Sequence, residues 1–454
     1  MSSRFASRIA CVITVFHLLT CASSLFPQTR ASSLNKSREV IRAHAAKLYP
    51  ELEKLYLHLH QNPELSFHEE QSAARLAEEL KQCGFEVTTK IGGHGIVGVF
   101  KNGKGPTVMV RADMDALPVE ENTGLPYASK ARTHDDAGKE VSVMHACGHD
   151  VHMTVFAGAA RVLVQMKDKW QGTLVFIGQP AEERGAGARV MLDAGLYSRF
   201  PRPDYALALH VSASLEVGKI AHCSGYALAN VNSVDVTIRG VGGHGAYPHT
   251  TKDPIVIAAQ VILALQTIVS RETKPSEPAV VTVGSIHGGA KHNIIPDEVK
   301  LELTLRSYSD EVREHTIVAL RRIVQGVAQA AGVPEERMPI VNVRDEYTPS
   351  TYNDPQLVQR LVPAFEQMLG KENVVATEPV MGGEDFGQFG RTDPKVPICI
   401  FWLGAVAPEK IAASRKNGSP LPSLHSSQFA PLPEPTIKTG MHAMSAAVLE
   451  LMER

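Results

Sequence analysis

Apolar residues recur at helical intervals from Lys36 to Leu59 and again from Gln71 to Gln82. This predicts two opening helices, the second stopped at Cys83-Gly84 by a glycine free to turn left-handed. Short runs rich in β-branched residues follow at Phe85 to Thr89, Ile96 to Phe100, Thr107 to Ala112 and Thr173 to Gly178. Gly or helical stretches separate them, and Met153 to Met166 reads as one such helix. Strands alternating with helices predict an α/β sheet.

A second pattern occupies about Leu228 to Val343. Val234 to Arg239 reads as a strand, Gly240 to Gly245 as a turn, Asp253 to Val269 as a helix, Ala279 to Val283 and Val299 to Ser307 as strands, and Asp310 to Ala331 as a helix. The order β-α-β-β-α is that of a compact α+β sandwich. Chemistry-bearing residues lie on both sides of it, so it is most simply an insertion at 228–343 into a catalytic unit made of 32–227 and 344–454.

At 454 residues the chain has material for two domains. Its formal net charge of -2, with no concentrated Lys/Arg run, argues against nucleic acid or an anionic membrane as the main partner. Arg4 and Arg8, the apolar run Ile9 to Leu19 and the small and polar residues through Ala31 form a signal-peptide pattern over 1–31. Secreted or periplasmic export is therefore expected. The apolar run is short for a membrane span, and a lipid anchor at Cys21 is the lesser alternative. Removal of the leader leaves Cys83, Cys147, Cys223 and Cys399, whose spacing suggests no disulfide framework.

The chemistry concentrates at Cys147-Gly148-His149-Asp150-Val151, where a thiolate and an imidazole two residues apart can reach one metal from a loop. A helix starting just after this loop would favour the thiolate. Glu182 and Glu183 follow an apolar strand, His210 closes the next, and His425 lies far downstream. Asp113 and Asp115 also fall at a strand end, where open α/β sheets place their ligands. Alone, Cys147 would be a buried thiol and His149 a core or capping histidine; the joint set points to metal. His152 reads as a neighbour that orients a ligand. Glu182 and Glu183, adjacent on extended backbone, should point to opposite sides, one to metal and one to substrate.

Six ordered motifs then carry a resemblance: Arg111-Ala112-Asp113-Met114-Asp115-Ala116-Leu117-Pro118, Met144 to Asp150, Gln179-Pro180-Ala181-Glu182-Glu183, Gly242 to His249, Asn293-Ile294-Ile295-Pro296 and Gly382-Gly383-Glu384-Asp385-Phe386. Over nearly the whole mature chain the sequence resembles the aminoacylase, hippurate hydrolase and auxin-conjugate amidohydrolase group of two-metal aminopeptidase-like hydrolases. The resemblance implies a mixed central sheet flanked by helices, phosphorylase/hydrolase-like, with an inserted ferredoxin-like lid or dimerisation unit. It implies two divalent ions, Zn, Mn or Co, on Cys147, His149, Glu183, His210 and His425, with Glu182 and Asp115 catalytic. It also implies a small N-acyl amino acid substrate and a homodimer or higher homo-oligomer.

His244 is the expected oxyanion donor, reaching a neighbouring subunit, although its Gly-Gly-His-Gly-Ala setting also reads as a plain turn. Asn293 is a substrate-binding or turn-capping residue. Two departures from the family pattern bear on pocket shape: Val151 stands where relatives commonly have Gly, and Ser426 to Ala430 lacks the usual Pro and acidic residues. The nearest rival activity is a dipeptidase or carboxypeptidase using the same metals, and a non-catalytic metal-binding protein is a further alternative.

Overall fold

The computed structural model describes residues 26–453. The expected leader falls mostly outside them, Cys21 included; from Phe26 on, the chain belongs to the helix Phe26–Gln61. The main sheet has eight strands in the order Glu86–Ile91, Gly95–Asn102, Gly172–Gln179, Thr107–Asp113, Tyr205–Glu216, Ile398–Val406, Ile220–His222 and Val374–Ala376. Its centre is parallel and the strands outside it include antiparallel pairs, so the sheet is mixed, as expected.

The central strands are apolar on both faces because both faces are covered. Val108, Val110, Leu174, Phe176, Leu207 and Leu209 pack toward the helices Phe26–Gln61, His149–Gln165, Pro355–Leu369 and Pro433–Met452. The alternate residues Met109, Val175, Ile177, Ala206 and Ala208 meet Ala188, Met191, Phe386 and Phe389 on the other side. Truncating a fully buried ring such as Phe176 to Ala would cost about 3–5 kcal/mol.

Two expectations about this unit need correction. The helix after the Cys147 turn starts at His149, four residues before Met153. Its first turn consists of His149, Asp150, Val151 and His152, all buried, so their polarity hid the start. His210 does not close its strand, which runs on to Glu216 alongside Ile398–Val406. His210 is nevertheless level with the end of Thr107–Asp113, since Arg111 pairs with Ala208.

The inserted unit is a four-stranded antiparallel sheet in the order Ala279–Gly288, Glu298–Ser307, Asn230–Arg239, Ile340–Thr348. With the helices Pro254–Thr267 and Asp310–Ala330 it has the β-α-β-β-α-β order of a ferredoxin-like sandwich. The last strand runs past the expected boundary at Val343, from Ile340 to Thr348. Its signal is masked by Arg344, Asp345 and Glu346, and Arg344 is spent on cross-strand ion pairs with Asp235 and Glu302 at 2.7 and 3.2 Å. Pro254–Glu272 is apolar and long enough to cross a membrane, but Ile257, Val261, Leu265 and Ile268 are buried in the core of this sandwich.

The chain enters the inserted unit along Gly225–Leu228 and leaves it along Thr351–Asn353, and these two strands pair antiparallel, Thr351 opposite Leu228. One face of the inserted sheet packs on its helices. At the end of the other face, Arg306, Val231 and Thr348 form a row across three strands, and this row turns toward the catalytic unit.

Candidate functional site

A cleft of about 650 Å³ opens between the two units. Its floor carries Cys147, Glu182, Glu183, His210 and His425, and its roof carries Val231, Ser233, Arg306 and Thr348. Local backbone sets the floor. Gly148 is left-handed, with φ of 78°, and a Cβ there would stand 2.6 Å from Val211 Cγ2, so only glycine lets the Cys147 turn pass so near that strand. His425 is also left-handed, with φ of 67°, and its N–H donates to the Ala146 carbonyl at 2.9 Å, which docks the distant loop against the Cys147 turn.

The structure brings all five expected ligands together in two triads that share one sulfur. Cys147, His149 and His210 form one, and Cys147, Glu183 and His425 the other, each with its donor atoms within 4.8 Å of one another. Second partners fix the imidazoles. His149 Nδ1 donates to the Asp115 carbonyl at 2.8 Å and His210 Nδ1 to the Val211 carbonyl at 2.8 Å, so each ring turns its Nε2 toward the cleft. His210 Nε2 lies 3.5 Å from Cys147 Sγ, and His425 Nε2 lies 3.3 Å from Glu183 Oε2. His152 is spent: its Nε2 accepts the Val211 N–H at 2.9 Å and its Nδ1 donates to Asp113 at 2.6 Å.

The donor set fits divalent cations. His149 Nε2 and Glu183 Oε1 are buried and have no hydrogen-bond partner, which is costly unless something else is bonded there. Burial, then Glu384 and Glu183, push the Glu182 carboxyl far above the ordinary carboxylate range. Burial lifts Glu183 to about 7, with His149 opposing and Asp115 adding. Burial opposes charge on His149, but Asp113 and Asp115 outweigh it and raise the ring to about 10. So much buried negative charge calls for a positive centre among these atoms. The Cys147 thiol is driven up by burial, Glu183 and Glu182, and a bound cation would supply the thiolate.

Glu182 and Glu183 do not point to opposite sides. They lie in a turn after Ala181, which is left-handed at φ of 49°, and both face His149 Nε2, at 3.8 and 4.0 Å. Asp115 holds this turn. It accepts the backbone N–H groups of Glu182 and Glu183 at 3.1 and 3.0 Å and the Ser66 hydroxyl at 2.6 Å, while its own position offers no direct contact to the cleft. His244 and Asn293 are not brought to the floor of their own chain. They sit on an exposed part of the inserted unit, where Gly245 N–H donates to the Asn293 carbonyl at 2.9 Å.

The sequence reading gave no role to Arg306, a lone arginine in an alternating strand, or to Glu384. Glu384 lies in Gly382-Gly383-Glu384-Asp385-Phe386. It lines the cleft and accepts from buried Arg111, which Asp113 and Asp385 also bracket, at 2.9, 2.6 and 3.2 Å respectively.

Over most of its length the chain is similar to known proteins. The model of peptidase family M20/M25/M40 matches residues 109–419. The chain is 36% identical to thermostable carboxypeptidase 1 of Saccharolobus solfataricus, over 86% of this chain and 92% of that protein. It is 38% identical to hippurate hydrolase of Campylobacter jejuni, over 75% of this chain and 85% of that one. Among solved structures, a dinuclear metal binding peptidase of Bacillus subtilis superposes with a TM-score of 0.72 at 28% identity, covering 89% of this chain and 98% of that one.

Proposed function

Because the chain belongs to peptidase family M20/M25/M40 and is a hydrolase of amide bonds, we propose that it cleaves an N-acyl amino acid to a carboxylate and a free amino acid, using two divalent ions. The observation that carries this reading is the pair of ligand triads sharing Cys147, with Glu182 beside them in a cleft closed by a second unit.

In this reading Cys147, His149, Glu183, His210 and His425 hold the ions. Bound there, divalent metal would bring the pKa of water toward about 7 and polarise the amide carbonyl. Glu182 takes the proton of the attacking water and passes it to the departing nitrogen, from its place beside the two triads in the cleft. Asp115 keeps the Glu182–Glu183 turn and the His149 ring in place. Arg306, in the roof and half-buried, supplies the positive charge for the carboxylate of the amino acid half. His244 and Asn293, exposed on the inserted unit, are read as donors offered to the cleft of a second subunit in a homodimer. The leader at 1–31 is read as directing export.

A peptide-cleaving alternative has one specific support, the 36% identity to a carboxypeptidase. A hydrolysis screen with N-acetyl amino acids, N-benzoyl amino acids and dipeptides decides between them. Chelator-treated protein is reconstituted in turn with Zn²⁺, Mn²⁺ and Co²⁺. Turnover of acyl amino acids above dipeptides is the expected result, and the reverse order overturns the acyl reading. Full activity in the chelated protein overturns the metal assignment.

A further inference from the structure

Glu69 stands at the N-terminus of the helix Glu70–Gln82, yet its side chain makes no capping bond. Glu64 does that work: its two oxygens accept the N–H groups of Gln71 and Ser72 at 3.0 and 2.7 Å. Glu69 is instead fully buried, and its Oε1 accepts two backbone N–H groups, from Phe67 and Ala181, each at 2.8 Å. Both donors belong to non-glycine residues held left-handed, at φ of 66° and 49°. The second oxygen, Oε2, is buried without a partner, and burial together with Asp115 lifts the carboxyl to about 7.

Hiding a carboxylate, leaving half of it unpaired and fixing two residues left-handed all work against the folded state, so packing does not account for the arrangement. Its position does. Ala181 immediately precedes Glu182, and its left-handed backbone begins the turn that sends Glu182 and Glu183 to the same imidazole. The segment that carries Glu69 also grips this turn a second time. Ser66 donates to Asp115 at 2.6 Å, and Asp115 accepts the next two N–H groups, those of Glu182 and Glu183. Glu64 anchors the same segment, its carbonyl accepting the Ala116 N–H at 2.8 Å. Three successive N–H groups, from Ala181 to Glu183, thus end on two buried carboxylates.

We propose that Glu69 is a positioning residue for hydrolysis: by holding the Ala181 N–H it sets the left-handed step that aims Glu182 and Glu183 together into the cleft. This rests on the role given to Glu182 above. Glu69 acts through an acceptor oxygen and not through charge, so glutamine, which keeps a carbonyl at that point, can replace it.

The test compares Glu69→Gln and Glu69→Ala in the full-length, metal-loaded protein. Glu69→Ala should lower kcat about 10- to 100-fold with KM within about twofold, because the carboxylate is misplaced while the substrate walls are untouched. Glu69→Gln should stay within about threefold of the parent. Hydrogen exchange of the segment 181–185 should speed up in Glu69→Ala and not in Glu69→Gln. If Glu69→Ala does not fold, Glu69→Asp makes the same comparison, since one methylene less withdraws the acceptor while keeping the charge. A folded, metal-loaded alanine or aspartate variant with parental kcat and parental exchange overturns the proposal, and so does a glutamine variant as slow as alanine. Exchange needs no substrate. A parent protein that cleaves no acyl amino acid would therefore sink the functional reading alone, leaving the Ala181 brace to be judged by exchange.

Discussion

The Asp115 carbonyl accepts the Nδ1–H of His149 at 2.8 Å, and the Asp115 carboxylate meanwhile holds the backbone of Glu182 and Glu183 at 3.1 and 3.0 Å. One residue therefore orients the His149 ring and sets the direction of two carboxylates. Asp115→Ala keeps the carbonyl and loses the side chain, so the ring should stay oriented while the turn loosens. Metal affinity is expected to fall about 10- to 100-fold, read by titration with a competing chelator.

Glu182→Gln removes a proton acceptor and leaves every ligand in place. Metal content should equal that of the parent, and kcat should fall about 10²- to 10⁴-fold. Parental turnover in a metal-replete variant would remove Glu182 from the mechanism.

Arg306 reaches the cleft from the roof, its Nη1 donating to the Met381 carbonyl at 2.6 Å. Arg306→Ala should raise KM for an N-acyl amino acid by about 10-fold or more, as expected on losing a charge-assisted carboxylate contact. The same substrate with its carboxylate converted to an amide should not distinguish the two proteins. Steady-state kinetics on the matched pair of substrates gives the answer.

The Glu69 carboxyl is raised from 4.5 to about 7 in the folded chain. Between those two values the folded protein holds a proton that the unfolded chain has released, so this group's contribution to stability falls as pH rises through the window and levels off above it. Glu69→Gln carries no such proton. Its stability advantage over the parent should grow from pH 4.5 to 7, by on the order of 3 kcal/mol at most. Urea melts of both proteins across that range test the sign, and a constant difference would contradict the burial of a titrating Glu69.

His244 lies outside the cleft of its own chain, so His244→Ala is expected to lower kcat without altering metal content only if a neighbour's His244 enters each cleft. Mixing supplies the control. Heterodimers of His244→Ala with Glu182→Gln rebuild one site that has both groups, and activity should return on subunit exchange. No recovery from proven heterodimers would leave His244 as part of a turn.

The candidate metal cluster was legible because five residues of the right chemistry stood at turns or near strand ends, although His210 lies inside a strand that runs on to Glu216. What escaped was decided by tertiary contact. The first turn of the helix His149–Gln165 is polar in sequence and buried in fact, so its apolar period begins late. The strand Ile340–Thr348 carries three successive charged residues, and its ladder with Asn230–Arg239, with Arg344 paired to Asp235 and Glu302, is visible only in the fold. The common direction of Glu182 and Glu183 depends on a left-handed Ala181, which no propensity of alanine foretells. Nothing in the sequence separates Glu69 from any other acid before a helix; its hydrogen bond from the Ala181 N–H places it beneath the Glu182 turn.

The antiparallel pairing of Gly225–Leu228 with Thr351–Asn353 puts the way into the inserted unit beside the way out. A segment whose two ends are neighbours can be exchanged as a cassette, with a short loop bridging the gap it leaves. The ligands and Glu182 all remain in the host, whereas Val231, Arg306 and Thr348 travel with the insert. On the proposed reading, descent can therefore vary the roof over the substrate while the ligands and Glu182 stay fixed, and a chimera carrying a relative's insert would take its roof, and the residue at the place of His244, from that relative.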